Sequence, residues 1–228
     1  MCLDLWLNKG VLRIKSSFLL FIFLISCSSD NKESSEVIPL EVVNIFSSEI
    51  TDVSSEEVLQ YYCNKKANDS IELSLLKIAY LNMNGETKIG DLIIAKDLSL
   101  EVVEIFKEIY NCKFPIEKMR TINNYNCNDD LSMEDNNTSA FNYRTVKGSR
   151  KLSDHSYGRA IDLNPLLNPF VTRKKVYPEN GRKYIDRENH VEGMIQKNDC
   201  VVRAFKSRGW HWGGDWKYSK DYQHFYKN

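Results

Sequence analysis

Histidine is scarce in this chain, with four residues in 228. Net charge is absent too: 31 basic and 31 acidic residues cancel, and a nucleic-acid partner, which calls for a basic patch or stripe, is not expected. The six cysteines form no Cys-x-x-Cys pair, which argues against a structural zinc knuckle. Long apolar runs are also missing. The most apolar stretch, Phe18 to Ile25, is too short to span a bilayer as a mature helix. The Asn- and Asp-rich residues 126–138 lack the glycine and terminal glutamate spacing of an EF-hand and read as a solvated loop beside the functional cleft. No general base accompanies Ser153, so a serine nucleophile is not expected there.

The remaining length suits one medium domain plus a targeting segment. Lys9, Arg13 and Lys15 precede the apolar run, the pattern of an export signal. Leu24-Ile25-Ser26-Cys27 resembles a lipobox, which implies cleavage after residue 26, lipidation of Cys27 and attachment to a membrane of the bacterial cell envelope. An ordinary signal peptide, with a periplasmic or secreted product, or an uncleaved anchor is the alternative. Residues 27–55 begin with a polar, Ser-rich stretch that reads as a flexible tether. The folded functional domain is expected over 56–228. It is expected to be a monomer.

Local patterns give a coarse fold. Ser54-x-x-Glu57 has the form of a capping box opening a short helix through Tyr61 and Tyr62. Residues 78–95 alternate around Asn84-Gly85, a hairpin signal. Val102, Val103, Phe106, Ile109 and Tyr110 form a helical apolar stripe from Ser99 to about Asn111. Residues 119–125 and 141–146 read as strands, 166–198 as an insertion of loops, and 201–207 as a helix stopped by Gly209. Together these predict an α+β fold on an antiparallel sheet with flanking helices. In an exported chain Cys63, Cys112, Cys127 and Cys200 permit three disulfide pairings, and spacing does not choose among them. Trp210, Trp212 and Trp216 are expected mainly in the core, with one of them free to wall a cleft.

Two stretches carry the chemistry. One is Ser153-Asp154-His155-Ser156-Tyr157-Gly158-Arg159-Ala160-Ile161-Asp162, and the other is Asp221-Tyr222-Gln223-His224-Phe225. Catalytic zinc takes three protein ligands and keeps one position open, and His155, Asp162 and His224 are the expected three. Gly158 permits a tight turn after His155, and Ile161 suggests that Asp162 lies on a strand. Asp221 is left free as a general acid/base. Arg144 is the best guanidinium to meet an oxyanion. Ser153 and Tyr157, flanking His155, are expected to contact or orient substrate. The basic residues Lys147, Arg150 and Lys151 can attract substrate carboxylates. His190, His211 and Asp215 read as structural or surface residues.

Ser-x-His-x-x-Gly-x-Ala-x-Asp, followed by Trp-Gly-Gly-Asp-Trp and Asp-x-x-His-Phe, resembles the D-alanyl-D-alanine carboxypeptidase family of zinc peptidases. That family includes vancomycin-resistance D,D-carboxypeptidases and L-alanyl-D-glutamate endopeptidases. The resemblance runs from about Gly90 to Phe225, with Phe114-Pro115-Ile116, Asn136-Asn137-Thr138-Ser139 and Asp162-Leu163-Asn164-Pro165 also matching one bacterial branch. It implies Zn2+ on His155, Asp162 and His224, a base at Asp221, a transition-state arginine at Arg144, and peptidoglycan stem peptide as substrate. Some relatives carry Glu where this chain has Asp221. Hedgehog signalling domains resemble the same fold and carry a similar zinc constellation, so a non-catalytic cell-surface binding protein is the rival reading. A closed, purely structural zinc domain is a third. Which stem-peptide bond is cut stays open.

Overall fold

A computed structural model describes residues 45–54, 57, 60–63 and 71–228. The export signal, Cys27 and the first part of the expected tether lie outside the described residues. The described fold begins earlier than expected, because Ser48–Asp52 is a strand (β1) rather than tether. It pairs antiparallel with β2 (Leu73–Leu81), which in turn pairs with β3 (Thr87–Ala95). Phe46 and Ile50, on or beside β1, pack against the buried core, which supplies the reason for its docking. The Ser54 capping box is formed: the Glu57 carboxylate accepts from Ser54 N at 3.1 Å, and Ser54 Oγ accepts from Glu57 N at 3.3 Å.

The expected hairpin is β2–β3. Its loop closes where Asn82 Oδ1 accepts from the backbone N–H of both Asn84 and Glu86, at 3.0 and 2.9 Å. Helix α1 (Ser99–Asn111) buries Val102, Val103, Ile105, Phe106 and Ile109 in one core with Leu76, Ile78, Leu92 and Ile94, and Tyr110 beside Ala79 and Leu81. Each such aliphatic or aromatic side chain, fully buried, contributes about 1.5–3 kcal/mol, so this layer is the rigid floor of the molecule.

Past α1 the polar segments behave differently from their sequence reading. Only Lys118–Met119 (β4) of the next region is strand. Residues 122–125 form a 3-10 turn, because Asn124 Nδ2 bonds Thr121 O and Oγ1 at 3.1 and 2.9 Å and Asn126 turns left-handed at φ 51°. Local side-chain bonds of this kind outcompete a ladder. The presumed loop at 126–138 contains helix α2 (Asp129–Glu134), capped by Asn128 Oδ1 accepting from Leu131 N at 3.1 Å, with Asp129 and Asp130 favourably placed in its first turn. It ends in β5 (Asn137–Thr138), fully buried and parallel to β4. The expected strand at 141–146 is reduced to one bridge, Thr145 to Leu152. Its backbone is instead held by neighbours, Phe141 N donating to Ile93 O at 3.0 Å and Asn142 N to His155 O at 3.1 Å.

The C-terminal half supplies short strands: β6 (Ala160–Asp162), β7 (Phe170–Val171), β8 (Val176–Tyr177), β9 (His211–Trp212), β10 (Lys220–Asp221) and β11 (His224–Tyr226), with helix α3 (Cys200–Lys206) before β9. The class is α+β, as expected, but the single sheet is not found. Three small antiparallel sheets take its place, ordered β1-β2-β3, β10-β7-β8 and β6-β11-β9, with the β4-β5 pair besides. Phe225 on β11 stacks on Phe205 of α3 with ring centroids 4.0 Å apart, tying the β6-β11-β9 sheet to the floor. Disulfides join Cys63 to Cys127 and Cys112 to Cys200, the second binding α1 to α3. Among the described residues no helix is long and apolar enough to cross a membrane.

Candidate metal centre

The His155 turn is built before it is used. Residues Asp154–Tyr157 form a 3-10 turn ended by Gly158 at φ 65°. A Cβ on Gly158 would stand 2.5 Å from Ala95 N, so glycine is required both by the backbone angle and by the close approach to the end of β3. Ala95 N donates to Gly158 O at 2.9 Å, which welds the turn to the floor. His155 Nδ1 lies 2.6 Å from Ala140 O. A carbonyl can only accept, so Nδ1 carries the proton and Nε2 presents its lone pair, the orientation typical of a metal-ligating histidine.

The β6–β11 pairing supplies the other two groups, since its register places His224 opposite Asp162. Asp162 Oδ1 is 2.9 Å from His224 Nδ1 and Oδ2 is 3.1 Å from His155 Nε2, while the two ring nitrogens are 3.3 Å apart. Two ligands bound to zinc at roughly 2.0–2.1 Å in tetrahedral directions are about 3.3 Å from each other. The three donors, all on buried residues, therefore already stand near the spacing such an ion needs, and among the described residues they form the grouping suited to a metal. Burial alone would raise the Asp162 carboxyl, but His155 and His224 hold it well below the usual range. Burial works to lower His224, and its bond to Asp162 together with the charges of Asp162 and Asp221 more than offsets this and raises it.

Asp221 ends β10, paired with Phe170 of β7, and the chain bends through Tyr222 and Gln223 before His224 opens β11. The first glycine of Trp-Gly-Gly-Asp-Trp makes room for it: a Cβ on Gly213 would lie 2.6 Å from Asp221 O. Asp221 Oδ1 is sealed from solvent and has no hydrogen-bond partner. Burial pushes this carboxyl up to about 7, with Asp162 adding to the rise and His224, Gln223 and Arg144 opposing it. A carboxyl poised near neutrality suits proton transfer.

Arg144, Ser153, Asp221, His155, Asp162 and His224 line one cavity of about 210 Å3, walled on its apolar side by Phe170, Tyr177 and Trp216. Trp216 is thus the tryptophan at the cleft, its ring 5.9 Å from that of His224, while Trp210 and Trp212 are buried. Tyr157 is not brought there. It is 39% exposed on the outside of the turn and does not line the cavity. His190 and His211 are exposed, and Asp215 pairs with Lys206. Sequence reasoning passed over Asp129, Gln223, Phe170 and Tyr177, all of which line the cavity; the Asn128 cap marks the start of α2 but says nothing of what Asp129 faces.

Residues 147–227 match the family described as D-alanyl-D-alanine carboxypeptidase, in accord with the resemblance read from the motifs. The matched segment contains His155, Asp162, Asp221 and His224 and begins just past Arg144. No solved structure matches the chain.

Proposed function

We propose, from the premise that residues 147–227 belong to the D-alanyl-D-alanine carboxypeptidase family, that this protein is a zinc peptidase. On this reading it hydrolyses a peptide bond in peptidoglycan stem peptides, as a D,D-carboxypeptidase or an L-alanyl-D-glutamate endopeptidase, on a fold of the kind shared with hedgehog domains. The observation that carries the proposal is the convergence of His155 Nε2, His224 Nδ1 and the Asp162 carboxylate beside Asp221, whose Oδ1 is buried without a hydrogen-bond partner. His155, Asp162 and His224 hold the zinc, and the neutral donor pair with one carboxylate leaves it positive. Bound there, zinc supplies Lewis acidity, polarising the scissile carbonyl and making water nucleophilic at neutral pH.

The protein's own groups do the rest. Asp221 Oδ1 accepts the proton of the attacking water and passes it to the leaving nitrogen. The guanidinium of Arg144 meets the carbonyl oxygen as it gains charge, a role for which a permanently charged group is suited. Ser153, buried beside His155, orients the substrate at the turn, and Phe170, Tyr177 and Trp216 keep water from the apolar side. We place the protein outside the cytoplasm, tethered through a lipid on Cys27, and acting as a monomer.

Metal analysis combined with hydrolysis of purified muropeptides tests the proposal. His155→Ala is expected to lose stoichiometric zinc. Asp221→Asn is expected to keep zinc but lose hydrolysis by about 100-fold or more. An Asp221→Asn protein as active as the parent, or a zinc-loaded parent that leaves every muropeptide intact, would instead favour the non-catalytic binding protein.

A further inference from the structure

We infer that Asp129 is a positioning residue that aims the Arg144 guanidinium into the cleft, an inference that rests on the peptidase reading for its consequence but not for its geometry. The backbone of Arg144 belongs to the His155 turn. Arg144 N donates to Ser156 Oγ at 2.9 Å, and Ser156 Oγ and Ser153 N both donate to Arg144 O, at 2.6 and 3.0 Å. These bonds place the Cα but leave a long, rotamer-rich side chain to choose its own direction. The partner available to it is Asp129. Arg144 Nε lies 3.1 Å from Asp129 Oδ2, close enough for an ion pair although the N–H is not aligned for a hydrogen bond.

Asp129 is itself held on both sides. Its Oδ1 accepts from Asn142 Nδ2 at 2.9 Å, and Asn142 is buried two residues before the arginine. This bond takes one carboxylate oxygen and turns the other toward Arg144. Asn142 sits between Phe141 and Tyr143, whose rings each pack on that of Tyr62 at 5.0 Å, and the adjacent Cys63 is bonded to Cys127, two residues before Asp129. The neighbouring acid is otherwise engaged, because Asp130 pairs with Lys147 at 3.0 and 3.1 Å. Asp129, Asn142 and Arg144 thus form a short relay that lies wholly before the matched family segment, its acid at the first residue of α2.

A purely structural Asp129, serving only the N-terminus of α2, would act independently of Arg144. A double-mutant cycle separates the two roles. With muropeptide as substrate, Asp129→Ala and Asp129→Asn are expected to lower kcat on the order of 10- to 100-fold, as misplacement of a catalytic group does, with KM little changed. In an Arg144→Ala background the same substitutions are expected to cost nothing further. Losses that multiply would overturn the inference. A second readout does not need turnover: in protein labelled with 15N-arginine, Asp129→Ala is expected to shift the Arg144 Nε–H resonance and speed its exchange with solvent, and Asp129→Asn to do the same should the alanine variant fail to fold. An Arg144 Nε–H signal unmoved by either substitution would refute the positioning role. A parent that hydrolyses no muropeptide would refute the peptidase reading alone, leaving the resonance to decide the geometry.

Discussion

Replacing Asp221 by asparagine should make the metal-free protein more stable at pH 8 while removing its hydrolytic activity. Asp221 Oδ1 is buried without a partner, and its carboxyl ionises near 7 instead of at the ordinary 3.8 because burial disfavours the charge. The sign follows from proton counting. Between about pH 4 and pH 7 the folded chain holds a proton here that the unfolded chain has released, so this group makes stability fall as pH rises through that window. The full displacement corresponds to roughly 4 kcal/mol at pH 8, and about 2 once the partial exposure of the residue is allowed for. Asparagine carries no charge to desolvate. Asp162 contributes stability above its unfolded value and loses it as pH falls, and the raised His224 contributes below its own unfolded value and loses it as pH rises. Both are present in parent and variant, but each interacts with Asp221, so removing its charge at pH 8 also relieves the repulsion from Asp162 and gives up the attraction to His224. Urea denaturation in the presence of a chelator at pH 4 and pH 8 reads the result. Asp221→Asn should exceed the parent by about 2–4 kcal/mol at pH 8 and match it at pH 4. A variant less stable than the parent at pH 8, or equally displaced at both pH values, would refute the argument that a strained base is stored at the site.

Other substitutions test the frame that carries the site. Gly158→Ala should destabilise the fold by about 1–3 kcal/mol and weaken zinc binding, because the turn requires φ 65° and the added Cβ meets Ala95 N; thermal melting and metal stoichiometry would show it, and an unchanged Tm would contradict it. Removing the Cys112–Cys200 bond by paired serine substitution should cost about 2–5 kcal/mol, since the disulfide closes a long loop between α1 and α3, and denaturant unfolding measures the loss. Phe225→Ala should cost about 3–5 kcal/mol, since its ring is fully buried against Phe205; a midpoint unchanged in urea would speak against that stacking as the link between sheet and floor.

The parts that the sequence made legible share a physical reason. The α1 stripe repeats over more than two turns, from Val102 to Tyr110, and the β2–β3 hairpin has an Asn-Gly turn, so their patterns rise above accident. His155, Asp162 and His224 stand out because histidine is rare and each lies in a spaced motif. By contrast, β6 to β11 are two or three residues long, too short for an alternating pattern, and the pairings that build the site, β6 with β11 and β7 with β10, join segments far apart in the chain. The grouping of Asp162 with His224 was therefore visible only as a motif, while the three-sheet arrangement behind it was not. Polar composition misled at α2, where the residues that suggested a loop, Asn128, Asp129 and Asp130, are those that start a helix. The orientation of Tyr157 was equally hidden, because one residue along a 3-10 turn separates the cleft from solvent.

The most direct test of the account is the mass spectrum of muropeptides of defined stem length after incubation with the zinc-loaded protein, with and without chelator. The expected result is a chelator-sensitive loss of one terminal alanine, or a chelator-sensitive cut between L-alanine and D-glutamate. Muropeptides left intact by a protein that holds one zinc per chain would contradict it.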